Sequence, residues 1–162
     1  MSRFPWDDKV KKVEELQAAL APIRQNGGQI VFTNGCFDLL HVGHLDTLSS
    51  ARAQGDVLVV GLNSDSSVRL LKGPSRPLQP EDERAQILAA LSCVDYVVIF
   101  REQTPLELLA VVRPDVHVKG GDYLASQLPE TPLVQSWGGR VHIAPVAHGR
   151  STSLLEKAIG GA

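Results

Sequence analysis

Five short apolar runs punctuate the chain, at residues 29–33, 57–62, 96–100, 115–119 and 140–144. Between them, apolar residues recur every three or four positions, the rhythm of helices that bury one face. Val10, Val13, Leu16, Leu20 and Ile23 set that rhythm over residues 10–25, and Gly27-Gly28 ends it. A second helix is predicted from near His41 to Gly55-Asp56, with Leu45, Leu48 and Ala51 facing inward. A short helix follows at 68–71, then an irregular loop at 72–80 whose glycine and prolines exclude a long helix. Further helices are expected at 80–91, opened by an acidic first turn, at 106–112 behind Pro105, at 133–137 and at 151–159. Val57-Leu58-Val59-Val60-Gly61-Leu62 is apolar without alternation, as suits a parallel strand covered on both faces. The alternation of strand and helix predicts an α/β, Rossmann-like fold: a doubly wound parallel five-stranded sheet with helices on both faces. Residues 1–28 are read as an N-terminal helical segment of a single compact unit whose main domain is 29–162.

The chain has 162 residues, 43% of them hydrophobic, enough for one domain with a substantial core. Net charge is −2, with no arginine run or basic stripe, which argues against a nucleic-acid partner and leaves a single nucleotide open. No apolar run approaches the ~18 residues of a membrane span. Residues 1–12 are polar and lack the apolar core of a signal peptide. Cys36 and Cys93 form no Cys-x-x-Cys pair and read as reduced thiols of a cytoplasmic protein.

Polar residues collect where the strands are expected to end: Asn34, Asp38, Asn63, Asp65, Lys119, Asp122 and Ser151 to Ser153. Ligands of doubly wound sheets bind beyond those ends, where strand order reverses. The richest segment is Thr33-Asn34-Gly35-Cys36-Phe37-Asp38-Leu39-Leu40-His41-Val42-Gly43-His44, which reads as strand, tight turn and helix start. A helix N-terminus presents unpaired N–H groups and a partial positive charge, both attractive to phosphate. Gly43 permits close approach, and His41 and His44, three apart, share a helix face. Three readings compete for the pair. Surface histidines are the plainest, zinc needs a third ligand that no nearby Cys or His cluster supplies, and phosphate stabilisation suits the context best. Neither a Gly-x-x-x-x-Gly-Lys-Ser/Thr loop nor a Gly-x-Gly-x-x-Gly turn is present, so a P-loop NTPase and a dinucleotide-binding fingerprint are not indicated.

Phe37-Asp38 with His41-x-Gly43-His44 after a first strand resembles the HxGH nucleotidyltransferase superfamily, which includes the cytidylyltransferases. Further segments are in order: Asn63-Ser64-Asp65, Lys72-Gly73, Ser75-Arg76-Pro77, Glu83-Arg84, Arg113-Pro114-Asp115, Val118-Lys119-Gly120-Gly121-Asp122-Tyr123 and Ser151-Thr152-Ser153. That set is similar to the D-glycero-β-D-manno-heptose 1-phosphate adenylyltransferases, and the length of the sequence leads us to expect a stand-alone form without a sugar-kinase half. The resemblance implies AMP transfer from ATP to heptose 1-phosphate, giving ADP-heptose and pyrophosphate for lipopolysaccharide-type precursors. It implies Mg²⁺ bridging the phosphates, held by substrate and water more than by protein, and a homodimer, common in the superfamily.

By resemblance, Thr33, Asn34, Gly35, Cys36, Phe37, Gly43, Lys119, Gly120 and Asp122 surround the nucleotide, and His41, His44 and Lys72 act on the phosphates. Lys72 is alternatively a solvated lysine. Ser151, Thr152 and Ser153 open a helix and either hold phosphate or only cap it; Arg150 adds a cation beside them. Asp38 meets the acceptor or a water on Mg²⁺, or simply braces its turn. Arg84 binds substrate phosphate or pairs with Glu81 or Asp82. Asn63 and Asp65 face the sugar hydroxyls. Ala147-His148-Gly149-Arg150 does not match the Arg-Thr-Glu-Gly of the cytidylyltransferases, which weakens a CTP reading. Two alternatives stand beside the adenylyltransferase: an enzyme such as a glycerol-3-phosphate cytidylyltransferase, and a nucleotide-binding module without catalysis.

Overall fold

The computed structural model describes residues 3–145 and 152–160. Five parallel strands form one sheet: β1 (Ile30–Gly35), β2 (Val57–Asn63), β3 (Tyr96–Phe100), β4 (Val116–Gly120) and β5 (Arg140–Ala144), in the order β3-β2-β1-β4-β5. The helices are α1 (Val13–Gln25), α2 (Val42–Arg52), α3 (Asp65–Lys72), α4 (Glu81–Ala90), α5 (Leu106–Val112), α6 (Glu130–Ser136) and α7 (Thr152–Gly160). Short 3₁₀ turns lie at Asp7–Lys9 and Ala125–Gln127; the second has no counterpart in the sequence reading.

Alternate residues of each strand enter different cores, because successive side chains of a strand point to opposite faces. On one face Val31, Leu58, Val60, Leu62, Val97 and Val118 pack with Leu48, Ala51 and Leu88 of α2 and α4. On the other, Ile30, Phe32, Val59 and Val98 pack with Leu16 and Leu20 of α1, Leu109 of α5 and Val134 of α6. Burial on both faces is the reason the strands read as unbroken apolar runs. Strand order reverses between β1 and β4, so the crevice at their C-terminal ends is the natural ligand position.

Several boundaries differ from the sequence reading for identifiable reasons. Helix α1 begins at Val13, not Val10, because Val10 bridges to Val97 and covers the edge of β3. Strand β1 continues to Gly35, since Asn34 and Gly35 pair with Gly61 and Leu62. Ser64 caps α3 by accepting the Ser67 N–H at 3.2 Å, which starts that helix three residues earlier than expected. Lys72 is therefore the last residue of a helix that Gly73 closes at φ 98°, and not part of the loop. Leu45 is 40% exposed rather than inward: the buried stripe of α2 is Gly43, Leu48 and Ala51.

Candidate active site

The turn from β1 into α2 holds Phe37 at φ 46° and Leu39 at φ 58°, left-handed conformations uncommon for such side chains. The surroundings hold them there. Phe37 is buried and tilted against the His44 ring at 5.3 Å, and the Leu39 N–H donates to Gln79 Oε1. The Asp38 carboxylate, fully shielded, accepts the Leu78 N–H at 2.7 Å, the Gln79 N–H at 3.0 Å and Arg76 Nε at 2.8 Å. Burial alone would raise the Asp38 pKa, but these donors together hold it below the usual carboxylate range. Asp38 thus braces this turn against the 73–80 loop.

The two histidines cap their own helix. His41 Nδ1 accepts the Gly43 N–H at 3.1 Å, and His44 Nδ1 accepts the His41 N–H at 3.2 Å, with the rings stacked 3.8 Å apart. The His41 and Gly43 N–H groups are thereby engaged within the turn itself. The same geometry fixes the tautomer: with Nδ1 accepting, a neutral imidazole carries its proton on Nε2. Burial, then His41 and Lys72, lower the His44 pKa to about 4, and burial lowers that of His41. The pair therefore presents two neutral Nε2–H donors.

Beside them is a cavity of about 210 Å³, lined by Thr33, Asn34, Gly35, Cys36, Phe37, Asp38, His44, Thr47, Lys72 and Gly120. It spans the strand-order reversal, joining β1, β4, the start of α2 and the end of α3. Thr47 was absent from the sequence reading. Its signal lay in spacing, since it is one turn beyond Gly43 and its Oγ1 donates to the Gly43 carbonyl at 3.2 Å. Gly120 has no room for a side chain: a Cβ there would sit 2.5 Å from Thr47 Oγ1. Burial raises the Cys36 thiol pKa, so this residue stays a neutral wall of the cavity.

Among the described residues, Asn63, Asp65, Arg84, Lys119 and Asp122 do not line this cavity. Arg84 is 1% exposed and fully engaged: Nε donates to the Gln79 carbonyl, Nη1 to those of Cys36 and Asn63, and Nη2 pairs with Asp65 at 2.7 Å. It is a structural brace, not a phosphate ligand, and its acidic partner is Asp65 rather than Glu81 or Asp82. Asp65 is thereby committed to Arg84, and the buried Asn63 amide donates to Ser67 Oγ at 2.9 Å; neither lines the cavity. Lys119 pairs with Glu130 of α6 at 3.4 Å, and Asp122 is exposed in the turn after β4. Thr152 and Ser153 begin α7, while Arg150 and Ser151 lie outside the described residues.

A parallel sheet carrying an HxGH helix start at its reversal point defines a class, the nucleotidyltransferases. Comparison gives the family within that class: residues 32–149 match the cytidylyltransferase-like family, and the chain belongs to it. It is 57% identical over 150 residues to the bifunctional protein HldE of Syntrophotalea carbinolica, which covers 93% of this chain and 31% of that protein. It is 53% identical over 154 residues to HldE of Trichlorobacter lovleyi, with 94% and 31% covered. The chain thus spans under a third of the length of these relatives. Among solved structures, the lipopolysaccharide core biosynthesis protein of Thermoplasma volcanium aligns with TM-score 0.61 and 27% identity, over 75% of this chain and 98% of that one. The pantoate-β-alanine ligase of Francisella tularensis, at 16% identity and TM-score 0.56 over 89% and 68%, shares the fold.

Proposed function

We propose that the protein transfers AMP from ATP to D-glycero-β-D-manno-heptose 1-phosphate, releasing pyrophosphate and forming ADP-heptose for lipopolysaccharide-type precursors. The observation that carries nucleotidyl transfer is the stacked His41–His44 pair at the start of α2, each with Nδ1 accepting and Nε2–H left to donate, with His44 and Lys72 both lining the cavity and His41 beside it. The heptose acceptor rests on the sequence segments shared with that group of enzymes and on the high identity to HldE. The Thermoplasma volcanium relative, named for lipopolysaccharide core biosynthesis, agrees with that setting.

An oxygen of the sugar phosphate attacks the α-phosphorus in line. The new P–O bond forms as the bond to the β-phosphate bridging oxygen breaks, and pyrophosphate leaves with that electron pair. The nucleophile is already an anion, so no strong base is needed. The protein positions the two phosphates and offsets charge as it builds on the equatorial oxygens. His44 faces the α-phosphate, and the Lys72 ammonium meets the β- and γ-phosphates or the acceptor phosphate. Among the described residues no three His, Cys, Asp or Glu side chains converge as a metal cage, and Asp38 is already engaged. This donor set suits Mg²⁺ arriving on ATP as part of the substrate.

Pyrophosphate release with Mg²⁺, each of ATP, CTP, GTP and UTP, and phosphorylated acceptors tests the reading. Release with ATP and the heptose β-1-phosphate is expected. Release with CTP and glycerol 3-phosphate would make the chain a cytidylyltransferase, and nucleotide binding without turnover would make it a binding module. The reading also carries a homodimer and a cytoplasmic setting. Among the described residues no helix is long and apolar enough to cross a membrane, and both cysteines are free thiols. A monomer mass in sedimentation equilibrium at micromolar concentration would overturn the dimer.

A further inference from the structure

One guanidinium ties together three segments far apart in sequence. Arg76 lies in the loop that follows Lys72, and its side chain is only 11% exposed. Its Nε and Nη2 both lie 2.8 Å from Asp38 Oδ2, three residues before His41. Its Nη1 pairs with Glu156 Oε1 on α7, four residues beyond the start of that helix. The Asp38 end is fully shielded and reinforced by the Leu78 and Gln79 N–H groups, whereas the Glu156 side chain is 35% exposed. A guanidinium this shielded is costly to leave without partners, so both carboxylates act on where it sits.

We propose that Arg76 is a positioning residue that holds α7 against the loop after Lys72 and the HxGH turn, so that the three segments meet ATP as one prearranged set. Asp38 fixes the guanidinium, and Glu156 docks α7 onto it. Arg76 itself touches neither substrate nor the reacting atoms. A loosened α7 leaves the chemistry in place but misplaces the β- and γ-phosphates, the kind of remote displacement that costs rate steeply. The role in turnover rests on the nucleotidyl-transfer reading; the docking of α7 does not.

The test compares Arg76→Gln, Arg76→Lys, Glu156→Gln and the double variant Arg76→Gln/Glu156→Gln. Hydrogen exchange of the α7 amides reads docking without any substrate. Faster exchange is expected in Arg76→Gln and in Glu156→Gln, with protection partly restored in Arg76→Lys. Steady-state pyrophosphate release with ATP is expected to lose between about tenfold and a hundredfold in kcat/KM for either single Gln variant. The double variant should resemble Arg76→Gln alone, because once one partner is gone the other has nothing to lose. Unchanged α7 exchange in the single variants overturns the clamp, as do losses that multiply in the double variant. If Arg76→Gln does not fold, Glu156→Gln and Arg76→Lys still decide. Faster α7 exchange in the variants, with no pyrophosphate release from the wild-type protein, would spare the clamp and sink the catalytic reading.

Discussion

His44 is held neutral over the whole physiological range, because burial first, then His41 and Lys72, push its pKa to about 4. Its value lies in a fixed Nε2–H and not in a titration near neutrality. His44→Ala should lower turnover by ~10²–10³-fold, the scale of one lost transition-state donor, as measured by pyrophosphate release. The helix cap on the His41 N–H goes with it, at a stability cost of about 1 kcal/mol read in urea. His117, within β4, is fully buried against Phe32, and burial first and Lys119 second lower its pKa to about 4. Between pH 6.5 and 4 the unfolded chain therefore binds protons at His44 and His117 that the folded chain refuses. Stability falls as pH drops through that window and gains nothing from these groups above it. His117→Phe should flatten the fall of Tm with acidity; an unchanged slope would remove His117 from that account.

At the scale of elements, the site depends on how closely α2 approaches the end of β4. Thr47 on α2 occupies the space a side chain at 120 would need, and its hydroxyl is tied to the Gly43 carbonyl. Gly120→Ala should cost about 1–3 kcal/mol in urea unfolding, the range for forcing extra volume into a packed site. Thr47→Ala in the same chain should recover most of it, a coupling that independent sites would not show. The strands and helices of this packing were legible from apolar spacing alone. Their ends were not: β1 runs two residues further because β2 offers partners, and α3 starts earlier because Ser64 supplies a cap. Strand ends and caps are decided by hydrogen bonds to neighbours, which periodicity does not encode.

Over the whole molecule, Arg84 stitches the turn after β1, the end of β2 and the start of α4 through three carbonyls and Asp65. Arg84→Met removes the donor and strands the Asp65 carboxylate, so a loss of about 3–5 kcal/mol in urea unfolding is expected. Full stability in that variant would return Arg84 to the candidate phosphate ligands. The sequence by itself determined the alternation of strands and helices, the parallel sheet buried on both faces and the HxGH turn at its centre. Those follow from local spacing and from residue chemistry that reads the same in any context. Only the tertiary structure decided which polar residues serve ligand and which serve fold. Asp38, Asn63, Asp65 and Arg84 all read as polar ligand candidates in the sequence, but side chains, backbone N–H groups and carbonyls up to 48 positions away claim them inside. A buried polar group bonds whatever the fold places beside it, and the chain order holds no record of that neighbour.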